Sequence, residues 1–176
     1  QPSFGVCDSR LWLEQSPGAP TPTTLYQIGT NANPLTFNAV GTAAVVYNAV
    51  GYNPADNYQY GLITPTTNTL VRIGSDGAAV SLGTVSGLPV ATYISGAFGT
   101  AGNILYVKSN LAAGTTMYAI NVTTMTATPV SLSAAIDIAD WAWVNGLLYG
   151  VTLSGQLVSV NPSTGAVANV GAPNTL

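Results

Sequence analysis

An all-β fold is predicted for this sequence: a propeller-like array of four four-stranded antiparallel blades. Three observations predict it. A short apolar segment with an aromatic residue recurs four times, at a spacing typical of propeller blades. Strong turn sequences separate the apolar segments. The periodicity of an amphipathic helix is nearly absent.

The recurring segment is the second strand of each predicted blade. Its aromatic residues, Trp12, Tyr60, Tyr106 and Tyr149, are spaced 48, 46 and 43 residues apart. The four segments are residues 10–15, 58–63, 103–108 and 146–151. The third strand of each blade follows at residues 24–29, 69–74, 116–121 and 156–161.

Two further strands complete each repeat. A polar turn leads to a fourth strand, as in LTFNAVG and AVANVG, and the first strands are predicted as SFGVC, YNAVGYN, YISGAFG and DIADWAWV. The blades therefore cover approximately residues 1–43, 44–89, 90–134 and 135–176, within one domain of residues 1–176. Two arrangements are open: a closed four-bladed ring, or a partial propeller that another copy completes.

Two-residue turns at equivalent positions support this register. Asn145-Gly146 and Asp76-Gly77 favour hairpin turns, because Asn, Asp and Gly tolerate positive φ. Gly102-Asn103 and Asp56-Asn57 occupy the site of Asn145-Gly146 in their own repeats. A blade that is packed between two neighbours buries both faces, which explains the high apolar content.

The chain is nearly uncharged. Charged residues make up 5% of the sequence, against roughly 25% in ordinary globular proteins. A surface of Ser, Thr, Asn and Gly suits glycan cover, burial against neighbouring subunits or a carbohydrate-rich matrix, and all three settings are extracellular. The start at Gln1-Pro2, without Met, is typical of a mature product after cleavage of an export signal. We therefore expect an extracellular protein, secreted or attached to the cell surface.

The same composition argues against two classes of partner. Three basic residues and a net charge of −3 give no electrostatic footprint for nucleic acid or for anionic lipid. The mean hydropathy is +0.36, yet no apolar run approaches the roughly 18 to 20 residues that cross a bilayer. Membrane insertion is therefore not expected.

Common catalytic sets are absent from the sequence. It contains no His, so a Ser-His-Asp or Cys-His arrangement cannot form. Lys108 is interpreted as a solvated or carboxylate-paired side chain. Asp137 and Asp140 flank an apolar strand but point to opposite faces at this spacing; we interpret Asp137 as an acceptor of backbone N–H groups, with a calcium ligand as the alternative. No enzymatic activity, cofactor or metal is predicted.

Several residues are candidates for modification. Asn121-Val122-Thr123 is the one N-glycosylation sequon, in the predicted turn between the third and fourth strands of the third repeat. The Pro- and Thr-rich run at residues 16–24 favours O-glycosylation, and its candidate sites are Ser16, Thr21, Thr23 and Thr24. Cys7 is the single cysteine, so it is either a small buried hydrophobe or the site of an intersubunit disulfide.

The three tryptophans allow two interpretations. Trp12, Trp141 and Trp143 are either a platform on which sugar rings stack or residues that pack the blades together. Packing is the preferred interpretation, because aromatic residues in such strands are commonly buried.

The last repeat carries a specific pattern between Asp137 and Gly171: D-x-A, then G-x-L-Y-G-V, then L-x-x-V-N-P-x-T-G-x-V-x-x-V-G. On these residues the chain resembles a family of propeller-like domains of unknown function in secreted and cell-surface proteins. The other repeats follow the pattern more loosely, and the chain is poorer in Asp and Arg than the commoner members. The resemblance implies a fold and a secreted setting, and it carries no activity or catalytic residue.

We predict a non-enzymatic extracellular structural protein, a self-assembling subunit of a filament, sheath or surface array. Its expected partners are other copies of itself and glycans. Uncharged fourth strands are ready templates for pairing between copies. The alternative is a carbohydrate-binding or adhesive, lectin-like module on the cell surface.

Overall fold

The computed structural model describes residues 1–6, 9–109 and 113–173. Over these residues the chain forms fifteen β-strands and no helix. The first sheet contains β1 (Leu11–Gln15), β2 (Thr24–Gly29) and β3 (Thr36–Val40). The second contains β4 (Tyr47–Asn53), β5 (Tyr58–Ile63), β6 (Thr69–Ile73) and β7 (Ala79–Thr84). The third contains β8 (Tyr93–Phe98), β9 (Ile104–Ser109), β10 (Gly114–Asn121) and β11 (Thr126–Ile136). The fourth contains β12 (Ile138–Val144), β13 (Leu147–Thr152), β14 (Leu157–Val160) and β15 (Val167–Asn169).

The four sheets are the blades of a four-bladed propeller, which confirms the predicted fold class. Within every blade the strands are antiparallel and lie in chain order. The inner strands are β4, β8 and β12, because β4 packs against β8 and β8 against β12. The outer strands are β3, β7, β11 and β15, and from each of the first three the chain passes to the inner strand of the next blade.

The first blade differs from the prediction, because it has three strands over the described residues. The segment predicted as its inner strand, residues 3–7, forms no strand over residues 3–6. Instead the start of the chain lies against the second blade, where Phe4 N–H donates to the Asn57 carbonyl at 2.7 Å and Ser75 N–H donates to the Pro2 carbonyl at 3.0 Å. The Phe4 ring is 5% exposed in this position, and it packs edge-on against Trp12 and Tyr52.

Two of the four predicted turns have the expected backbone geometry, and in the other two only the second residue, Asn57 or Gly77, has positive φ. Asn145 and Gly146 both have positive φ, at 48° and 88°. Gly102 and Asn103 repeat this in the third blade, at 72° and 63°. Positive φ at both central residues is the requirement of the hairpin turn whose twist matches that of the flanking strands.

The apolar core lies between the blades. One cluster joins the second and third blades and includes Leu62 and Leu105. Another joins the third and fourth blades and includes Met117 and Leu148. These four side chains are fully buried, and each contributes about 1.5–3 kcal/mol through burial. The strands of the middle blades are therefore apolar on both faces, as predicted.

The inner strands β4 and β8 lie in close contact at Gly96 on β8. A Cβ atom at this position would overlap the carbonyl group of Ala49 on β4. On the other side of β8, the Asp140 carboxylate accepts a hydrogen bond from Gly96 N–H at 3.3 Å and another from Trp141 N–H at 2.8 Å. Gly96 is therefore the residue that lets three inner strands share one axis.

We expect Gly96→Ala to destabilise the fold by about 3 kcal/mol or more, because the added methyl group meets rigid backbone on the neighbouring strand. The measurement is the free energy of unfolding in urea.

Gly171→Ala is the control, since Gly171 has a φ of 68° and nothing within 4 Å of an added Cβ. This control carries only the backbone cost of about 1–2 kcal/mol. Equal losses in the two variants would contradict the close approach at the axis.

Candidate functional site

The candidate site is the free edge of β1 and the space beside it. Over the described residues, β1 pairs with β2 and with no other strand. In the other three blades the equivalent edge is covered by β4, β8 or β12. The inner-strand position of the first blade is therefore unfilled by any described strand.

A cavity occupies this position at one end of β1. Because β8 packs on one side of β4, the inner strand of the first blade would pack on the other side. Glu14 and Gln15 of β1 line a cavity of about 460 Å³ together with Tyr47 and Asn48 of β4 and residues of the neighbouring loops.

A second cavity lies at the other end of β1. It has a volume of about 420 Å³, and its lining includes Phe4, Arg10, Trp12, Tyr52 and Gln59. The Arg10 guanidinium lies 5.2 Å from the centre of the Trp12 ring. The two cavities and the free edge of β1 between them are called the first-blade groove below.

Three buried oxygen atoms at the groove lack hydrogen-bond partners among the described residues: Glu14 Oε1, Tyr47 OH and Gln59 Oε1. Tyr47 is 4% exposed and Gln59 is 7% exposed. A buried polar atom without a partner costs about 1–3 kcal/mol. These three oxygen atoms therefore offer hydrogen-bonding positions to water or to a polar ligand group.

Glu14 is the carboxyl group of the groove, in the lining of the 460 Å³ cavity. Burial raises the pKa of its carboxyl from 4.5 to about 7. Its own backbone N–H and the Gln59 side chain lower the pKa, whereas the Asp140 carboxylate across the axis raises it. Burial also raises the pKa of Tyr47, and the Glu14 charge adds to that increase. The groove therefore disfavours a negative charge on Glu14.

Asp137 and Asp140 bind different backbone groups and do not share a hydrogen-bond partner. Asp137 Oδ1 accepts a hydrogen bond from Leu153 N–H at 3.3 Å, which confirms its role as a backbone acceptor. Asp140 instead binds the inner strand of the third blade through Gly96. Over residues 1–6, 9–109 and 113–173, no three His, Cys, Asp or Glu side chains are grouped to hold a metal ion.

Lys108 is not solvated. It is 1% exposed, and its Nζ donates to the Ser109 carbonyl at 3.2 Å. Burial lowers the pKa of the amine, and the Asp137 carboxylate raises it. The Lys108 side chain is therefore buried within the third blade, and its amine is near enough to Asp137, beside the fourth blade, to be affected by that carboxylate.

The three tryptophans do not form one platform. Trp141 is 6% exposed, and its indole N–H donates to the Tyr106 carbonyl at 3.2 Å. Trp143 stacks on Tyr106 with ring centres 5.7 Å apart. Both pack the third blade against the fourth, in keeping with the packing interpretation. Trp12 alone of the three lines the first-blade groove.

The candidate glycosylation sites lie in loops or at the ends of strands. The Asn121 side chain accepts hydrogen bonds from Thr123 N–H and Thr124 N–H, which places the sequon in the turn after β10. Thr21 is exposed, and Ser16 and Thr24 are half-buried. Thr23 is buried, with its hydroxyl bonded to the backbone of Tyr47. Cys7 lies outside the described residues.

Nothing in the sequence alone singles out Glu14, Tyr47 and Gln59 as site residues. No motif joins them, because they come from three strands of two blades. One signal was available: Glu14 is a carboxylate inside the apolar strand LWLEQ.

None of the described residues forms a helix that could cross a membrane.

Glu14→Gln should remove a pH dependence from stability. Because the folded-state pKa of Glu14 is raised, its contribution is complete below pH 4.5 and is lost as the pH rises through about 7. The wild-type free energy of unfolding should fall by up to about 3 kcal/mol over this range, and the variant should lose most of that fall. Chemical denaturation between pH 4 and pH 8 measures it.

Asp76→Asn, which removes an exposed carboxylate in the turn before β7, is the charge-matched control. Parallel curves for wild type and Glu14→Gln would contradict the burial of Glu14.

Comparison with known proteins agrees with this fold. The model of a repeat of unknown function, DUF6923, matches residues 12–176. No curated protein sequence matches the chain.

Three solved structures share the architecture at low identity. Glutaminyl cyclase from Myxococcus xanthus is 14% identical, with a TM-score of 0.59 over 82% of this chain and 60% of its own. An auxiliary nutrient binding protein from Bacteroides thetaiotaomicron is 11% identical, with a TM-score of 0.60 over 95% of this chain and 40% of its own. Hydrazine synthase from Kuenenia stuttgartiensis is 10% identical, with a TM-score of 0.52 over 85% of this chain and 43% of its own.

The chain therefore spans about half the length of these structures, which are similar to it in fold alone. The family match covers nearly the whole chain, and on that match the chain belongs to the family of repeats of unknown function DUF6923.

Proposed function

We propose that this chain is a non-enzymatic structural protein of the cell exterior, which assembles with further copies of itself into a filament, sheath or surface array. The observation that carries the proposal is the outer strand β3. Its residues are exposed on both faces, apart from the half-buried Val40. A five-residue strand of this kind presents unpaired backbone groups to another copy.

No outer strand of the propeller carries a charged residue: the sequences are TFNAV, AVSLGT, TATPVSLSAAI and VAN. Natural proteins protect sheet edges with charges, proline, bulges or short strands. Of these devices, β11 has Pro129, β7 has a register shift opposite Leu70 and Val71, and β15 has three residues.

β3 has none of these protections. Its pairing with β2 is continuous from Thr36 to Val40. Leu35 and Phe37 at this edge are 49% and 53% exposed, so pairing would also bury apolar surface. This strand is therefore the edge at which we place the contact between copies.

The extracellular setting is part of the same proposal. With 5% charged residues, the surface has little electrostatic repulsion to keep copies apart. Asn121, in its exposed turn, and Ser16, Thr21 and Thr24 are where glycans would cover the remaining surface. The burial of Thr23 leaves it out of that group. The absence of His from the sequence supports a role without catalysis.

Phe37→Lys should weaken assembly, because a lysine at a sheet edge opposes pairing with another edge. Light scattering coupled to size-exclusion chromatography should show wild-type particles above 17.9 kDa as concentration rises. The variant should need at least tenfold more protein to reach the same mass.

Leu153→Lys is the matched control. It adds the same charge at a leucine that is 67% exposed, in the turn between β13 and β14, and it should assemble like wild type. Wild-type particles that stay at the monomer mass at all concentrations, without filaments in negative stain, would contradict the proposed function.

A second function is supported by Trp12, which lines a cavity of about 420 Å³ together with Tyr52 and Gln59. Aromatic faces with a few polar groups are typical of small-ligand sites. We propose carbohydrate binding as the alternative. Neutral oligosaccharides should then change the tryptophan fluorescence of wild type and of Trp143→Phe, and leave Trp12→Phe unchanged. A flat titration of wild type would reject this function.

A further inference from the structure

We propose that the fourth blade of one copy packs face to face against the first blade of a second copy, as successive blades pack within one chain. The inference rests on the proposed assembly and adds to it a contact that is separate from edge pairing at β3. The two surfaces differ from each other, so the contact is head to tail.

The first blade has an apolar face that no blade covers. Trp12 and Glu14 of β1 line cavities that are shared with the second blade. Since side chains alternate along a strand, Leu11 and Leu13 point away from that blade. Ile28 is the partner of Leu11 on β2 and lies on the same face. Leu11 is 52% exposed. Leu11, Leu13 and Ile28 are called the first-blade face below.

The fourth blade has an uncovered face at the other end of the array. Leu148 and Val158 pack in the cluster between the third and fourth blades. Their neighbours Tyr149, Val151 and Leu157 therefore point to the opposite side of the sheet, where Val151 pairs with Leu157. Val151 is 55% exposed. Tyr149, Val151 and Leu157 are called the fourth-blade face below.

Both faces repeat residues that are buried elsewhere in the propeller. The repeat places Leu11 in line with Leu105 and Leu148, which are both 0% exposed. It places Val151 in line with Leu62, which is also 0% exposed. The two end blades thus carry core residues that this copy leaves uncovered.

The aromatic contacts between blades stop at the same place. Tyr60 contacts Phe98 of the next blade, and Tyr106 contacts Trp143 of the next blade, each with ring centres 5.7 Å apart. Tyr149 occupies the same position in the fourth repeat. Among the described residues it contacts no aromatic ring.

The cluster between the second and third blades is the template for the contact. Six of its side chains occupy the repeat positions of the two faces: Tyr60, Leu62, Leu70, Leu105, Val107 and Ile120. The first three are on the second blade, at the positions of the fourth-blade face. The last three are on the third blade, at the positions of the first-blade face. Each free face is therefore one half of an interface that the chain already forms.

A second copy supplies the missing half, because both faces are free in every copy. No apolar cluster of the described residues joins the first blade to the fourth. Neither face includes a charged residue, so like charges do not oppose the contact. End repeats that stay in solvent normally have a polar outer side, and these two blades have apolar ones. Head-to-tail packing generates rings or open filaments.

The experiment mixes two variants that each lose one face. Both carry Asn38→Lys, which opposes edge pairing at β3; Asn38 is exposed and alternates with Phe37, the residue that pairs with Ile28. Leu11→Lys then blocks the first-blade face, and Val151→Lys blocks the fourth-blade face. Both substituted positions are more than half exposed, so the monomer accommodates the lysine.

Light scattering after size-exclusion chromatography gives the result. At a concentration where Asn38→Lys alone assembles, each blocked variant should stay at 17.9 kDa. Their equimolar mixture should form particles of twice that mass, because each variant keeps the face that the other has lost. Val90→Lys in the same background is the control. It adds the same charge at a valine that is 61% exposed between β7 and β8, and it should assemble like Asn38→Lys.

Disulfide trapping separates contact between copies from contact within one copy. Leu11→Cys and Val151→Cys are combined in one chain with Cys7→Ser. Mild oxidation should give a ladder of crosslinked multimers on a non-reducing gel, in at least ten times the yield found when Val90→Cys replaces Val151→Cys.

Two results would overturn the inference and leave the proposed function in place: a disulfide within a single copy, or a mixture that stays monomeric while wild type assembles. Wild type that never assembles would overturn both, and its light scattering distinguishes that failure from the other two.

Discussion

The structure depends on the close packing of its inner strands at one axis. Gly96 has no side chain, so β8 can lie directly against the backbone of β4. Asp140 then joins β12 to β8 by accepting the Gly96 N–H. The apolar clusters lie between the blades that this contact joins.

The first blade is where this arrangement is incomplete. No described strand lies beside β1, so Glu14 reaches the axis where the other blades have backbone. A carboxyl, a phenol and an amide are left in a region that excludes water and supplies few partners. Such a region is costly for a folded chain in isolation and becomes favourable when a strand or ligand supplies hydrogen bonds.

Few charged side chains lie inside the molecule. Lys108 is buried, Asp137 accepts a backbone N–H from the turn after β13, and Asp140 accepts one from β8. The outer strands carry no charge at all. The carboxylates inside the molecule therefore bind backbone N–H groups of neighbouring segments, and the outer strands are uncharged.

The sequence by itself determined the blade pattern. Trp12, Tyr60, Tyr106 and Tyr149 mark equivalent strands, and Asn145-Gly146 marks a turn, because alternation and turn chemistry are local properties of a chain. Tertiary structure alone decided three matters: that residues 3–6 leave the first blade, that Lys108 is buried, and that Glu14, Tyr47 and Gln59 meet. Each depends on contacts between residues far apart in sequence. From the sequence, Phe4 is compatible with a position in a strand. In the folded propeller its side chain packs between Trp12 and Tyr52 instead, and these partners come together only through the tertiary structure.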